Sequence, residues 1–423
     1  MSEVLDKRWL MLVLFFLTRL SMGFQFQSVG SVGPDLVSVV GLSNFELGSL
    51  IGIFMLPGLF LAFPGGYLGS YFRDKSIISF GLLCLCAGGL IVVASNNFNI
   101  MSLGRTVCGV GFVLTTMYFS KVTIDWFEGR ELATAMGILI ISWPGGIALS
   151  QAIHPLVSIE AGWRGAVSTA SIFCFGSAVA FYVLYKPPEP IQWHSKPIDQ
   201  ENKLSKEEWH RTILAAFSWA FYNAGYLVFL SFAFLALVEI GVPTLNAAAA
   251  LSFCSFLIML SIPFGGFLAD KFSLHAVIVF LSNFIAIISL LLLPFGTFWT
   301  TLIFLFGAFG MFAGGIIIAL AGRAMPANRR AFGMGIFQTV YFFFAAGSPI
   351  LAGWLYDYLG NSKLALGFAA LLFFFAWLTY FSFTKICKNA ETNTEGRFHA
   401  QHTHSITENA CYEDTSIYSE RIS

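Results

Sequence analysis

Residues 265–271 read Gly265-Gly266-Phe267-Leu268-Ala269-Asp270-Lys271, and far upstream the chain has already read Gly65-Gly66-Tyr67-Leu68-Gly69. Each stretch closes an apolar run and leads into a short charged loop. A second pair recurs at nearly the same offset. Ala133-Thr134-Ala135-Met136-Gly137 opens one apolar run, and Ala331-Phe332-Gly333-Met334-Gly335 opens its counterpart. Two matches at one offset imply a single unit used twice in parallel. In membrane proteins built this way, the solute site lies between the repeats near the bilayer midplane.

The residues around these repeats require a bilayer. Hydrophobic residues make up 57% of the 423 and charged residues only 11%, against roughly 25% charged in a soluble domain. The 47 phenylalanines suit surfaces that face lipid, and the 40 glycines suit close helix contacts. A crossing needs about 20 mostly apolar residues. That yardstick gives spans near 9–29, 46–69, 76–95, 99–120, 132–156 and 164–185. A second set follows near 211–237, 244–268, 273–293, 297–320, 331–356 and 363–385. The expected fold is an all-α membrane protein with twelve transmembrane helices in two pseudo-symmetric six-helix bundles. Residues 1–185 and 211–386 form the bundles, 186–210 a central cytoplasmic loop, and 387–423 a disordered tail. The first run, from Trp9, is too long for a signal sequence and reads as a permanent span.

Basic residues orient the chain. With the N-terminus in the cytoplasm, all but Arg19, Arg105, Arg164 and Lys363 of the 23 lysines and arginines fall on the cytoplasmic side. That asymmetry places both termini inside a cell inner (plasma) membrane. The net charge is zero, so nothing suggests nucleic acid as a partner. The cysteines read as reduced thiols, because none falls in a loop placed outside the membrane.

The repeated pieces resemble the major facilitator superfamily. The signature loop of that family, between spans two and three, is similar to Gly66-Tyr67-Leu68-Gly69-Ser70-Tyr71-Phe72-Arg73-Asp74-Lys75 and again to Gly266-Phe267-Leu268-Ala269-Asp270-Lys271. Arg105-x-x-x-Gly109-x-Gly111 in span four, Asp125-Trp126-Phe127 with Arg130, and Gly162-Trp163-Arg164 before span six resemble further family patterns. Gly23 to Gly30, Leu56-Pro57-Gly58 and Ser142-Trp143-Pro144-Gly145-Gly146 are similar to its cyanate-permease-like branch. The resemblance implies alternating access between two bundles. It also implies a gate at the signature loops, formed by Gly66, Ser70, Arg73, Asp270 and Lys271. The usual carboxylate is replaced by Ser70 in the first copy, so Asp270 is expected to form the stronger latch, against the start of span five.

Within the spans, Arg19 lies near the middle of the first, where an arginine costs roughly 2.5–3.5 kcal/mol. It therefore needs a cavity, a partner or a ligand. Gln27 lies at the margin of its helical face. Arg105 in span four suits either substrate contact or helix packing. Trp219, Asn223 and Tyr226 form a stripe on span seven, and Trp143 beside Pro144 marks a bend in span five. These seven residues are the candidate substrate contacts. His154 reads as an interfacial side chain, with a proton carrier as the alternative. Asp35, Glu46, Glu239 and Asp357 all fall at helix ends. The spans therefore lack the buried carboxylate common in proton-driven transporters, and two buried guanidiniums suit an anionic or strongly polar solute.

No phosphate-binding loop, catalytic constellation or metal-ligand cluster stands in the spans, so neither an enzyme nor a cofactor is expected. His399, His402 and His404 belong to the solvated tail. The reading is a secondary active transporter of a small polar, anionic solute, working as a monomer. Two alternatives stay open: a proton-coupled exporter of hydrophobic or amphiphilic compounds, and a membrane sensor on a transporter-like scaffold.

Overall fold

The computed structural model describes residues 2–61, 71–127, 131–188, 204–325 and 330–387, and among these it contains helices but no strands. Eleven helical stretches are long and apolar enough to cross a bilayer. One of them, Thr134–Leu184, runs 51 residues, about twice one crossing. It breaks at Gly162, whose φ of 67° and ψ of 175° belong to a region open essentially to glycine alone. Counted on either side of that break, the spans number twelve, as expected from the sequence.

We number them in chain order. Helix α1 is Ser2–Ser31, prolonged by Gly33–Asp35 and a π-helical turn, Leu36–Val40. Then come α2 (Asn44–Leu61), α3 (Asp74–Val93) and α4 (Phe98–Phe127), and α5 and α6 occupy 132–161 and 163–184. The second set is α7 (Lys206–Glu239), α8 (Thr244–Phe272) and α9 (His275–Leu292). Helix α10 begins as Trp299–Leu305, passes through a π-helical turn at Phe306–Gly310 and ends as Gly314–Ala324. Helices α11 (Arg330–Leu359) and α12 (Lys363–Cys387) complete it. The end of the molecule that holds the start of α1 is called the near face, and the opposite end the far face.

The helices need no amphipathic stripe because their outer faces meet lipid. Leu10, Phe60, Phe175, Phe253 and Leu260 are exposed, whereas Phe15, Phe54, Phe119 and Phe306 are buried. With tails as apolar as leucine outside, helices associate by close packing and polar contacts. A Cβ at Gly23 would collide with the Trp143 carbonyl oxygen, and one at Gly146 with that of Leu20. Backbone therefore meets backbone where α1 crosses α5.

Polar pairs fasten the helix ends. On the near face Arg8 bonds Glu131 at 3.0 Å, and Lys121 bonds Asp74 at 2.6 Å, joining α1 to α5 and α4 to α3. On the far face Arg164 reaches the Val93 carbonyl at 3.0 Å and Asn96 at 2.8 Å. A capping box of Ser205 and Glu208 starts α7.

Between α1–α6 and α7–α12 runs a seam, where α2 packs on α11, α5 on α8, and α1 on α7. The hydrogen bonds that the described residues show crossing it lie towards the far face. Gln27 Nε2 donates to Leu230 O at 3.1 Å. Ser252 Oγ donates to Ala148 O at 2.9 Å, and Ser255 Oγ to Gln151 Oε1 at 2.6 Å. Asn44 and Phe45 bond Asp357. A Cβ at Gly48 or Gly52 would strike the carbonyl oxygens of Pro349 and Ala346, so α2 and α11 approach as closely as backbones allow. The far face is closed.

Candidate functional site

Helix α1 carries several of the polar groups inside the first half, among them Arg19, Gln25 and Gln27. Arg19 is partly buried. Its Nη1 donates to Leu139 O on α5 at 3.2 Å, sharing that oxygen with Ser142 Oγ at 2.6 Å. Its Nε has no protein partner. Nearby, Pro144 cannot donate to the carbonyl one turn before it, which favours a bend in α5. A guanidinium with spare donors is thus held midway along α1 by one main-chain bond.

Arg105 is placed differently. It is fully buried, and each of its nitrogens donates to a carbonyl: Nε to Leu50 at 2.9 Å, Nη1 to Gln25 at 3.3 Å and Nη2 to Phe26 at 3.0 Å. Its charge also lies 4.5 Å from the centre of the Phe54 ring. Of the two roles open to it in the sequence, these contacts are those of a staple joining α4 to α1 and α2.

Trp143 is half-buried among rings from three helices. Phe26 lies 5.3 Å and Phe112 4.9 Å from it, and Phe54 completes the group at 5.2 Å from Phe26 and 5.3 Å from Phe112. Gln27 is buried and spends its amide on the seam. On α7, Trp219 meets Tyr341 of α11 at 6.2 Å, and Asn223 Nδ2 donates to Trp219 O at 2.9 Å. Tyr226 is buried, and its hydroxyl has no protein partner. The seven candidates therefore separate. Arg19 and Trp143 meet α5, or lie on it, in one half; Trp219, Asn223 and Tyr226 line α7 in the other. Gln27 bridges the halves, and Arg105 is withdrawn into packing.

The signature loops fall partly outside the described residues, Gly66 and Ser70 among them. Arg73 stands at the start of α3, where its main-chain carbonyl accepts from Ser76 N and Ile77 N. Among the described residues, Asp270 is mostly exposed and bonds His275 at 2.9 Å. Lys271 lies over Phe267 and Phe272 at 5.6 and 5.5 Å.

One polar group is not legible in the sequence, and a second stands elsewhere than expected. The seam residues Gln151, Ser252 and Ser255 carried only the faint signal of small polar side chains in apolar runs. His154 is fully buried instead of interfacial, because α1 covers it. Its Nδ1 is hydrogen-bonded to Ser150 Oγ at 2.7 Å, which lies 3.1 Å from Ser31 Oγ, and its ring lies 4.3 Å from that of Phe24. Among the described residues, no cluster of three or more ligands could hold a metal.

A bundle of twelve apolar helices, in two halves that meet along a seam bridged by buried polar side chains, defines a polytopic membrane protein. The sequence profile of the Major Facilitator Superfamily matches residues 14–349, and the chain belongs to that family. It is 25% identical over 182 residues to a probable L-galactonate transporter of Escherichia coli K12, covering 43% of this chain and 40% of that protein. It is 24% identical over 158 residues to a choline/ethanolamine transporter of Rattus norvegicus, covering 37% of this chain and 29% of the relative. The chain thus spans well under half the length of these curated relatives. A bacterial homologue of the human lysosomal transporter Spinster, in an inward-facing and occupied conformation, has the same fold. The TM-score is 0.66 at 15% identity, over 90% of this chain and 97% of that one.

Proposed function

We propose that the chain is a secondary active transporter that moves a small polar anion by alternating access, with Arg19 as the anion's anchor. The observation that carries this is the contrast between its two intramembrane arginines. Arg105 has a carbonyl for each nitrogen, whereas Arg19 keeps Nε without a protein partner. A guanidinium with free, adjacent donors in a low-dielectric site suits a carboxylate, which it binds with two parallel charge-assisted hydrogen bonds. The similarity to a probable L-galactonate transporter supports a carboxylate of that kind, a hydroxylated organic acid. Trp143, Gln27, Trp219, Asn223 and Tyr226 contribute apolar and hydrogen-bonding walls on either side.

In this reading residues 1–185 and 211–386 are the two moving bundles, the near face is cytoplasmic, and both termini lie inside the plasma membrane. A single chain suffices. The affinity to the cyanate-permease-like branch belongs to the same proposal.

Purified protein in liposomes tests it with labelled L-galactonate, a shorter hydroxy acid and choline in parallel. Arg19→Gln should abolish saturable uptake of the acids while the protein inserts and melts as the wild type does. Retained acid uptake in that variant removes Arg19 from the site. Uptake of choline but of neither acid would overturn the anionic reading in favour of a cation held by the aromatic rings.

A further inference from the structure

The first turn of α2 is completed by a residue from the other half of the molecule. The first N–H groups of a helix have no acceptor within it and need one elsewhere. Ser43 and Glu46 form part of the answer: Glu46 N donates to Ser43 Oγ at 3.1 Å, and Ser43 N to Glu46 Oε2 at 2.9 Å. This capping box leaves the N–H groups of Asn44 and Phe45 without an acceptor of its own. Both donate across the seam to the Asp357 carboxylate. Asn44 N and Nδ2 reach Oδ1 at 3.0 and 2.8 Å, and Phe45 N reaches Oδ2 at 2.7 Å.

We propose that Asp357 is the far-face latch: its carboxylate caps the first turn of α2 from the opposite half, and the far face opens when that cap is released. Three features support the assignment. A carboxylate in the last turn of α11 sits at the negative end of its own helix, and it is relieved by the positive end of α2. A Cβ at Gly353, one turn earlier, would collide with Asn44 O, so the approach that brings Asp357 to α2 is built into the backbone packing. Two other far-face carboxylates, Asp35 and Glu239, are spent within their own halves. Asp35 accepts from Ser158, while Glu239 accepts from Tyr356 Oη at 2.8 Å and from Ser362 N at 3.0 Å. Those bonds lie within one half and stay intact when the seam opens, whereas the Asp357 cap must break along with the seam bonds of Gln27, Ser252 and Ser255. Among these three carboxylates, Asp357 alone bonds across the seam.

The latch rests on the alternating-access reading, and one experiment separates the two. Spin labels are placed at Asn99→Cys on α4 and Leu245→Cys on α8, both exposed at the far face in different halves, with the native cysteines replaced. The distance distribution is measured in lipid, and uptake of labelled L-galactonate is followed in the same samples. Asp357→Asn keeps the size but loses the charge and one acceptor. It should raise the ratio of long to short distances about tenfold, the scale of a charge-assisted cap. Asp35→Asn and Glu239→Gln should leave that ratio within about twofold, because the bonds they weaken lie within one half. Two populations whose ratio ignores Asp357→Asn, or follows Asp35→Asn equally, would overturn the latch alone. A single short distance in every variant, with uptake preserved, would overturn alternating access at this seam and the latch with it.

Discussion

The guanidinium of Arg105 reaches the Phe26 carbonyl on α1 at 3.0 Å, and through Nε it reaches the Leu50 carbonyl on α2 at 2.9 Å. One side chain therefore fixes the relative height of three helices. Lysine has a single ammonium and cannot span those acceptors. Arg105→Lys is expected to lose about 3 kcal/mol of stability, the scale of broken buried charge-assisted bonds. Thermal unfolding in detergent should show a clear drop in melting temperature. Transport per folded molecule should fall much less than it does in Arg19→Gln.

Gly52 tests the seam by sterics alone. A β-carbon there meets the Ala346 carbonyl oxygen, so Gly52→Val should hinder far-face closure and populate far-open molecules. Gly137 has open space around its missing β-carbon and serves as the control. Gly137→Ala should be neutral, or stabilising by up to about 1 kcal/mol from helix propensity. Thiol accessibility of a Thr244→Cys reporter to a membrane-impermeant maleimide reads the difference. Equal labelling in both variants would show that close approach at Gly52 is dispensable.

The corner between α5 and α6 depends on Gly162. Its φ of 67° with an extended ψ is costly for any side chain, about 1–3 kcal/mol. Gly162→Ala should lower the melting temperature with the substrate affinity of the folded fraction unchanged. A melting curve that overlays the wild type would mean that the corner relaxes freely.

Gln151 and Ser255 bond across the seam at 2.6 Å, buried on both sides. A double-mutant cycle with Gln151→Leu and Ser255→Ala should give a coupling near 0.6 kcal/mol, the average for such bonds between membrane helices. The cycle is read from the long-to-short distance ratio at the far face. Strict additivity would assign the pair no part in closure.

The sequence made the span pattern legible because twenty-residue apolar runs have one physical explanation, and the two repeats at equal spacing announced the two halves. The crossing hidden in Thr134–Leu184 was legible too, since Gly162-Trp163-Arg164 interrupts the apolar run where the helix breaks. Arg19 and Arg105 could not be told apart. Both are arginines in apolar helices, and what separates them is which carbonyls neighbouring helices bring within reach. His154 misled for the same reason, as its burial depends on Phe24 of α1 lying over it. Asp357 looked like an ordinary helix-end charge, and nothing local in the sequence shows that Asn44 faces it.

The bonds from Gln27 and Ser252 across the seam end on the main-chain oxygens of Leu230 and Ala148. Each of those oxygens sits inside a helix and has two lone pairs, so it keeps its own backbone donor after the visitor leaves. At these two bonds, parting the halves therefore strands donors that water or a solute can take up, but orphans no acceptor. Such a zip can be undone and remade many times, and a cargo that favours one state by only a few kcal/mol is enough to decide which way it runs.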